Sequence, residues 1–223
     1  RQIGYEAQIL DAEAERIDYL ETAKSIGNYD ARVVCFVVYG QQPSASSQNM
    51  EGACQTASEF KKLHPDSFVL FIGAHVSALP IETLESHDFI DAACQNEGVY
   101  TLRDLLAVKN LNDEFILSRV KGLVFRNFKD EVLINEPSGI VPSNRLEIEL
   151  PGMAWDLLPP LNKYRTAGWH SWSNDSIKEP FAALYTSLGC PYRCSFCMIN
   201  IINRTKQGSE ISAADSNKFR HWS

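Results

Sequence analysis

Residues 33–39 (VVCFVVY) and 68–72 (FVLFI) are near-continuous runs of β-branched and aromatic residues, and they constrain the fold more than any other feature. A strand with one wet face alternates polar and apolar side chains; a run without alternation reads as a strand covered on both faces. Between the two runs, residues 50–63 carry a helical pattern that His64, Pro65 and Asp66 bring to a stop. Residues 89–93 (FIDAA) read as a further strand, followed by Asn96-Glu97-Gly98 and a helix over 101–108. Earlier in the chain, residues 5–10 (YEAQIL) read as a short strand and 14–26 as a helix that Gly27 terminates, while residues 83–86 fall in a short helix. Strands alternating with helices predict an α/β fold with a doubly wound, Rossmann-like parallel sheet.

The pattern changes near residue 121. Residues 122–126 (GLVFR) and 132–135 (VLIN) form a small hairpin signal around Lys129-Asp130. Residues 137–180 are rich in Pro, Gly, Trp and Asn without lasting periodicity, which reads as a connector. Residues 181–188 (FAALYTSL) return to a strand pattern. The expected division is therefore a sheet domain over 1–120, a connector over 121–180 and a new domain beginning at 181. Both ends read as cut: no methionine opens the chain, and no closing element precedes Ser223. The sequence is read as a fragment, inactive by itself.

Composition narrows the function. A formal net charge of −7 argues against a bulk nucleic-acid binder, which carries a basic stripe. No apolar run reaches the ~18 residues of a membrane span, and no secretory leader opens the chain. Six cysteines are too sparse for a disulfide scaffold in a chain of 223 residues. They suggest a reducing, cytoplasmic setting and a metal site.

Three of those cysteines carry the chemistry. Cys190, Cys194 and Cys197 lie within eight residues, close enough for one loop to wrap three thiolates around a single metal corner. Thiolates are soft ligands for iron–sulfur clusters, zinc or cuprous ion. Structural zinc takes four ligands, normally as two distant pairs, and no fourth cysteine or histidine follows within 20 residues. Three cysteines on a [4Fe-4S] cluster leave one iron open to another ligand.

The spacing C-x3-C-x2-C, with Phe196 just before the last cysteine and Gly189 and Pro191 around the first, resembles the radical S-adenosylmethionine (SAM) superfamily. By that resemblance the amino and carboxylate groups of SAM chelate the open iron, and Phe196 belongs to the cofactor site. The N-terminal half resembles the cobalamin-binding domain that precedes the barrel in many radical SAM methyltransferases. Ligands of open parallel sheets bind beyond the carboxyl ends of the strands. Three segments there are rich in small residues: GQQPSASSQNM, FIGAHVSALP and NEGVYTLRDLL. The resemblance implies a corrin cradle of Gly40, Pro43, Ser44, Ser46 and Ser47, then Gly73, Ala74, His75, Val76 and Ser77, then Asn96, Glu97 and Gly98. The family more often has Gly-Gly where Gly73-Ala74 stands, and Gly-Glu-Gly-Glu where residues 96–99 read Asn-Glu-Gly-Val. Ala74 fits only with a negative φ. Residues 151–159 (PGMAWDLLP), ahead of Tyr164, are similar to the family's bridge into the barrel.

The function implied is methyl transfer to an unactivated carbon. A reduced [4Fe-4S] cluster cleaves SAM to a 5′-deoxyadenosyl radical, and methylcobalamin donates the methyl group. Relatives that use both cofactors for ring contraction or cyclisation match the same pattern. The implied partners are a small-molecule, lipid or natural-product substrate and an electron donor such as a flavodoxin or ferredoxin, with no nucleic acid. Two other readings stay open. A radical SAM methylthiotransferase would use Cys35, Cys54 and Cys94 for a second cluster, against which these read as buried apolar thiols. A zinc-stapled ligand-binding module would not be an enzyme. His75 reads either as an axial cobalt ligand or as a capping hydrogen bonder, the commoner role at a strand end. Trp169, His170 and Trp172 read as packing of the connector, and Arg193 with residues 200–204 as a polar rim.

Overall fold

The computed structural model describes residues 2–40, 42, 44–164, 180–192, 194–200, 202 and 219–222. Helices α1 (Ala12–Glu15) and α2 (Tyr19–Gly27) lead into β1 (Val33–Val38), α3 (Ala45–Leu63), β2 (Phe68–Gly73), α4 (Ala74–Ala78), α5 (Pro80–Glu85) and β3 (Ala92–Cys94). Then come α6 (Val99–Ala107), α7 (Glu114–Leu117), β4 (Leu123–Arg126), β5 (Val132–Ile134) and α8 (Leu146–Glu149). Strands β6 (Ser187–Leu188) and β7 (Arg220–His221) form a separate antiparallel pair.

The main sheet has the order β1-β2-β3-β4-β5. β1, β2 and β3 run parallel, with Val33 opposite Phe68 and Leu70 opposite Ala92. β4 and β5 then add antiparallel, so the hairpin of the connector region completes this sheet. Side chains alternate between faces, and the period of two sorts them into two cores. Val69, Phe71, Ala93 and Val124 meet Cys54, Ala57 and Phe60 of α3 and Ala23 of α2. Leu70, Ile72, Ala92, Cys94 and Phe125 meet Leu105 of α6 and Leu117 of α7. Helices thus cover both faces, as a doubly wound sheet requires. Phe36 and Phe71 stack with centroids 5.0 Å apart, tying β1 to β2 across the first core. At the opposite end from the strand tips, the Asp91 carboxylate accepts from Lys61 Nζ and from the Val69 amide, each at 2.7 Å.

Several expectations are corrected. β1 is an edge strand, not one buried on both faces: Val37 is 65% exposed, and a cavity of about 2030 Å³ runs along β1 and residues 2–10. Residues 5–10 are extended and exposed but join no ladder; Tyr5 is tied instead by its hydroxyl to the Leu106 carbonyl. The helix expected over 14–26 is two helices, because Arg16 turns left-handed (φ 58°) and closes α1 with its amide, while Asp18 caps α2 anew. Residues 89–93 supply a shorter, later strand, Ala92–Cys94. The loop expected over 40–47 becomes helix from Ala45, and 74–78 is a helical turn. The strand expected over 181–188 shrinks to Ser187–Leu188, since Leu184 and Tyr185 are exposed and find no strand to pair with among the described residues. Among the described residues no helix is long and apolar enough to cross a membrane.

Candidate functional site

The carboxyl ends of β1, β2 and β3 lie side by side, because the three strands are parallel and adjacent. Two consecutive serines at the start of α3 then divide the work. Ser46 is buried; its hydroxyl donates to the Val38 carbonyl and accepts from the His75 amide at 3.0 Å. Ser47 is exposed, and its hydroxyl lies 2.9 Å from His75 Nδ1. The first serine pins the end of β1 to the start of α4, and the second orients an imidazole beside it. Burial, with the nearby His87 ring adding to it, pulls the pKa of His75 down, which favours the neutral ring at neutral pH. The His75 ring is thus held by a side-chain hydrogen bond to Ser47 and caps no helix end among the described residues.

The glycines of these segments serve close packing. A Cβ on Gly73 would stand 2.2 Å from the Val38 carbonyl oxygen, and one on Gly40 would stand 2.3 Å from Ala45 Cβ. Gly98 adopts φ +72° as the cap of α6, against Ile72 and Cys94. Ala74 lies in the first turn of α4, with a negative φ as expected. Val76 is buried in the first core. Ser77 is buried too; its hydroxyl accepts from the Asn96 amide at 2.7 Å and donates to the Ile202 carbonyl. Asn96 is left-handed (φ 58°), and its side-chain amide donates to the Ser138 carbonyl. Of the expected cradle, Ser44, Ser47 and, in part, His75 reach solvent, while Ser46, Ser77 and Asn96 are consumed by the protein itself. Pro43 lies outside the described residues.

Glu97 is also engaged. Its carboxylate accepts from the Val141 amide at 2.9 Å and from both terminal nitrogens of Arg220, whose side chain is 5% exposed. Arg220 Nη1 donates in addition to the Val141 carbonyl. Arg220 stands opposite Leu188 in the β6–β7 pair, two residues before Cys190. Tyr185 donates from its hydroxyl to the Gly40 carbonyl at 3.2 Å. The stretches on either side of the cysteines therefore touch Gly40 after β1, Ser77 of α4, which follows β2, and Glu97 in the loop after β3. Sequence reading missed Arg220 and Tyr185, because neither belongs to a local pattern.

In the cysteine loop, Gly189 turns with φ +77°, and the Cys197 amide donates to the Cys194 carbonyl at 3.0 Å, closing a tight turn. Cys190 and Cys197 are half-buried, Cys194 is exposed, and Phe196 is 91% exposed. Among the described residues no group of three or more His, Cys, Asp or Glu side chains converges to hold a metal. The donor set, three soft thiolates in one short loop, fits an iron–sulfur cluster by its chemistry. The other three thiols are divided. Cys54 lies in the core covered by α3, and Cys35 and Cys94 lie on the opposite face of the sheet. Burial pushes the Cys54 thiol up to about 11 and that of Cys35 to about 12, and raises Cys94 as well. Thiols on opposite faces of the sheet do not converge on one cluster. The aromatic patch at 169–172, Arg193 and most of the rim at 200–204 lie outside the described residues.

No protein-family model matches the chain. It is 29% identical over 194 residues, 86% of its length, to an uncharacterized methyltransferase of Pyrococcus horikoshii. It is 27% identical over 150 residues, 67% of its length, to the cobalamin-dependent radical SAM methyltransferase TokK of Streptomyces tokunonensis. The chain spans 37% of the first relative's length and 20% of the second's. Among solved structures, the radical SAM methyltransferase TsrM of Kitasatospora setae, with cobalamin and a [4Fe-4S] cluster bound, aligns with a TM-score of 0.56 at 16% identity. That alignment covers 92% of this chain and 38% of TsrM, and it shows the shared fold. In sequence the chain is thus similar to a cobalamin-dependent radical SAM methyltransferase, in fold it is similar to TsrM, and it matches a part of each.

Proposed function

We propose that the protein is a cobalamin-dependent radical SAM enzyme that transfers a methyl group to an unactivated carbon. One observation carries the reading: the stretches flanking the C-x3-C-x2-C segment are tied to the turns that follow three parallel strands, through Tyr185 with Gly40, Ile202 with Ser77, and Arg220 with Glu97. A ligand held at the strand ends thus lies beside the cysteine loop. When bound, an open-cornered [4Fe-4S] cluster with SAM supplies one-electron cleavage of the sulfonium, and cobalamin supplies the methyl group.

The chain's own residues bind and orient. Cys190, Cys194 and Cys197 would be the cluster ligands, and Phe196, exposed beside Cys197, would belong to the SAM site. Ser44, Ser47 and His75 are the polar groups that face the corrin. Ser46, Gly73, Ser77, Asn96 and Gly98 shape the crest from within, and close-packed glycines let backbone rather than side chains form its surface. The partners are a small-molecule substrate and a protein electron donor. Protein purified with hydroxocobalamin is expected to leave a desalting column with a corrin visible spectrum. A colourless eluate would remove the cobalamin half of the reading and leave the cluster half standing.

A further inference from the structure

We propose that Arg220 is a positioning residue: clamped to Glu97 and Val141, it fixes where the cysteine loop sits over the strand ends. This inference rests on the two-cofactor reading above. Arg220 carries a permanent charge on a side chain that is 5% exposed, so its placement is tolerated only with near-complete pairing. That pairing is a closed ring. Nη1 and Nη2 reach both oxygens of Glu97, Nη1 also reaches the Val141 carbonyl, and the Val141 amide returns to Glu97 Oε2. A planar guanidinium on a carboxylate admits one approach, and the third contact removes the remaining rotation.

The ring joins parts that are remote in sequence. Glu97 stands three residues past the end of β3; Arg220 is the ladder partner of Leu188, which stands two residues before Cys190. A displaced Arg220 therefore moves Leu188 and, with it, the first cysteine. Buried ion pairs contribute little net stability against an apolar substitute, yet they are costly to break from one side. A buried, two-pronged pair at this joint therefore reads as a device for alignment. Tyr185 on Gly40 and Ser77 on the Ile202 carbonyl are single hydrogen bonds that complete the docking but do not fix its angle.

The test uses full-length protein in the forms R220M, R220K, E97Q and the charge exchange E97R/R220E. In loaded, reduced protein, the paramagnetic cluster and cob(II)alamin broaden each other's electron paramagnetic resonance signals according to their separation. R220M and E97Q are expected to change that broadening while iron and cobalt contents stay at the wild-type level, and E97R/R220E to restore it in part. In unloaded protein, amide exchange over 185–190 and 96–98 is expected to rise about tenfold in R220M, with β1 and β2 unchanged. If wild type binds no corrin or no cluster, the functional reading fails, and exchange alone decides the positioning role. Unchanged broadening together with unchanged exchange over 185–190 overturns the proposal. So does a uniform rise in exchange that reaches β2 and that neither R220K nor the charge exchange relieves, since it marks a merely structural role.

Discussion

Replacing Ser46 with alanine tests the division of labour between the two serines at the start of α3. The Ser46 hydroxyl is 1% exposed as part of its residue, serves the Val38 carbonyl and receives the His75 amide at 3.0 Å. The His75 amide lies in the first turn of α4, where no carbonyl of its own helix can reach it. Alanine leaves that amide unpartnered and the Val38 carbonyl short of one donor. A buried group left unsatisfied costs about 1–3 kcal/mol, so both together imply a loss of about 2–6 kcal/mol. At a urea slope of about 2 kcal/mol/M, the unfolding midpoint should fall by about 1–3 M. The matched control is Ser47→Ala, an exposed position where the change should stay within about 0.5 kcal/mol. Urea titration followed by far-ultraviolet circular dichroism measures both. Equal midpoints for S46A and wild type would refute the inference that Ser46 is an internal pin rather than a ligand contact.

Further outcomes follow from the same geometry. Gly73→Ala sets a methyl 2.2 Å from the Val38 oxygen and forces backbone apart, so thermal melting should show a loss of at least ~1–3 kcal/mol. At pH 8 a thiol-specific chromogenic reagent should modify Cys190, Cys194 and Cys197 in the unloaded protein and spare Cys54, held near 11 by burial, until urea is added. Raised thiol pKa values also set a sign: an unfolded cysteine ionises from about pH 8.5, the folded Cys54 only near 11, so stability should decline as pH rises through that window. Urea midpoints at pH 8 and pH 10 check it; an unchanged or higher midpoint at pH 10 counts against the burial of these thiols. Ser47→Ala, neutral for stability, should weaken corrin retention on a desalting column, because His75 loses the partner that orients its ring.

The sheet was legible where the chemistry is local. Unbroken apolar runs at 33–39 and 68–72 announced adjacent parallel strands, and the hairpin around Lys129-Asp130 announced β4 and β5. What escaped depends on neighbours. Residues 33–38 read as covered on both faces because Val37 is apolar, but nothing in a run of valines says that the strand lies at an edge. The alternation in 5–10 and the apolar run at 181–188 satisfy a strand pattern, yet a strand exists only where a partner pairs with it.

The site divides the same way. Three cysteines at fixed spacing could be read directly, and so could the small residues at strand ends. Which of those small residues turn outward could not: Ser46 and Ser47 are chemically identical neighbours, and helix phase alone buries one and exposes the other. Glu97 read as part of a ligand loop, while its partner Arg220 stands 123 positions away in sequence. No local pattern predicts a pairing at that separation.

The metal content of anaerobically reconstituted full-length protein tests the central claim most directly. Three cysteine ligands on one open-cornered cluster predict about four irons per chain with broad absorbance near ~400 nm, both lost when Cys194 is replaced by alanine. Stoichiometric zinc without that absorbance, or about eight irons per chain, would contradict it.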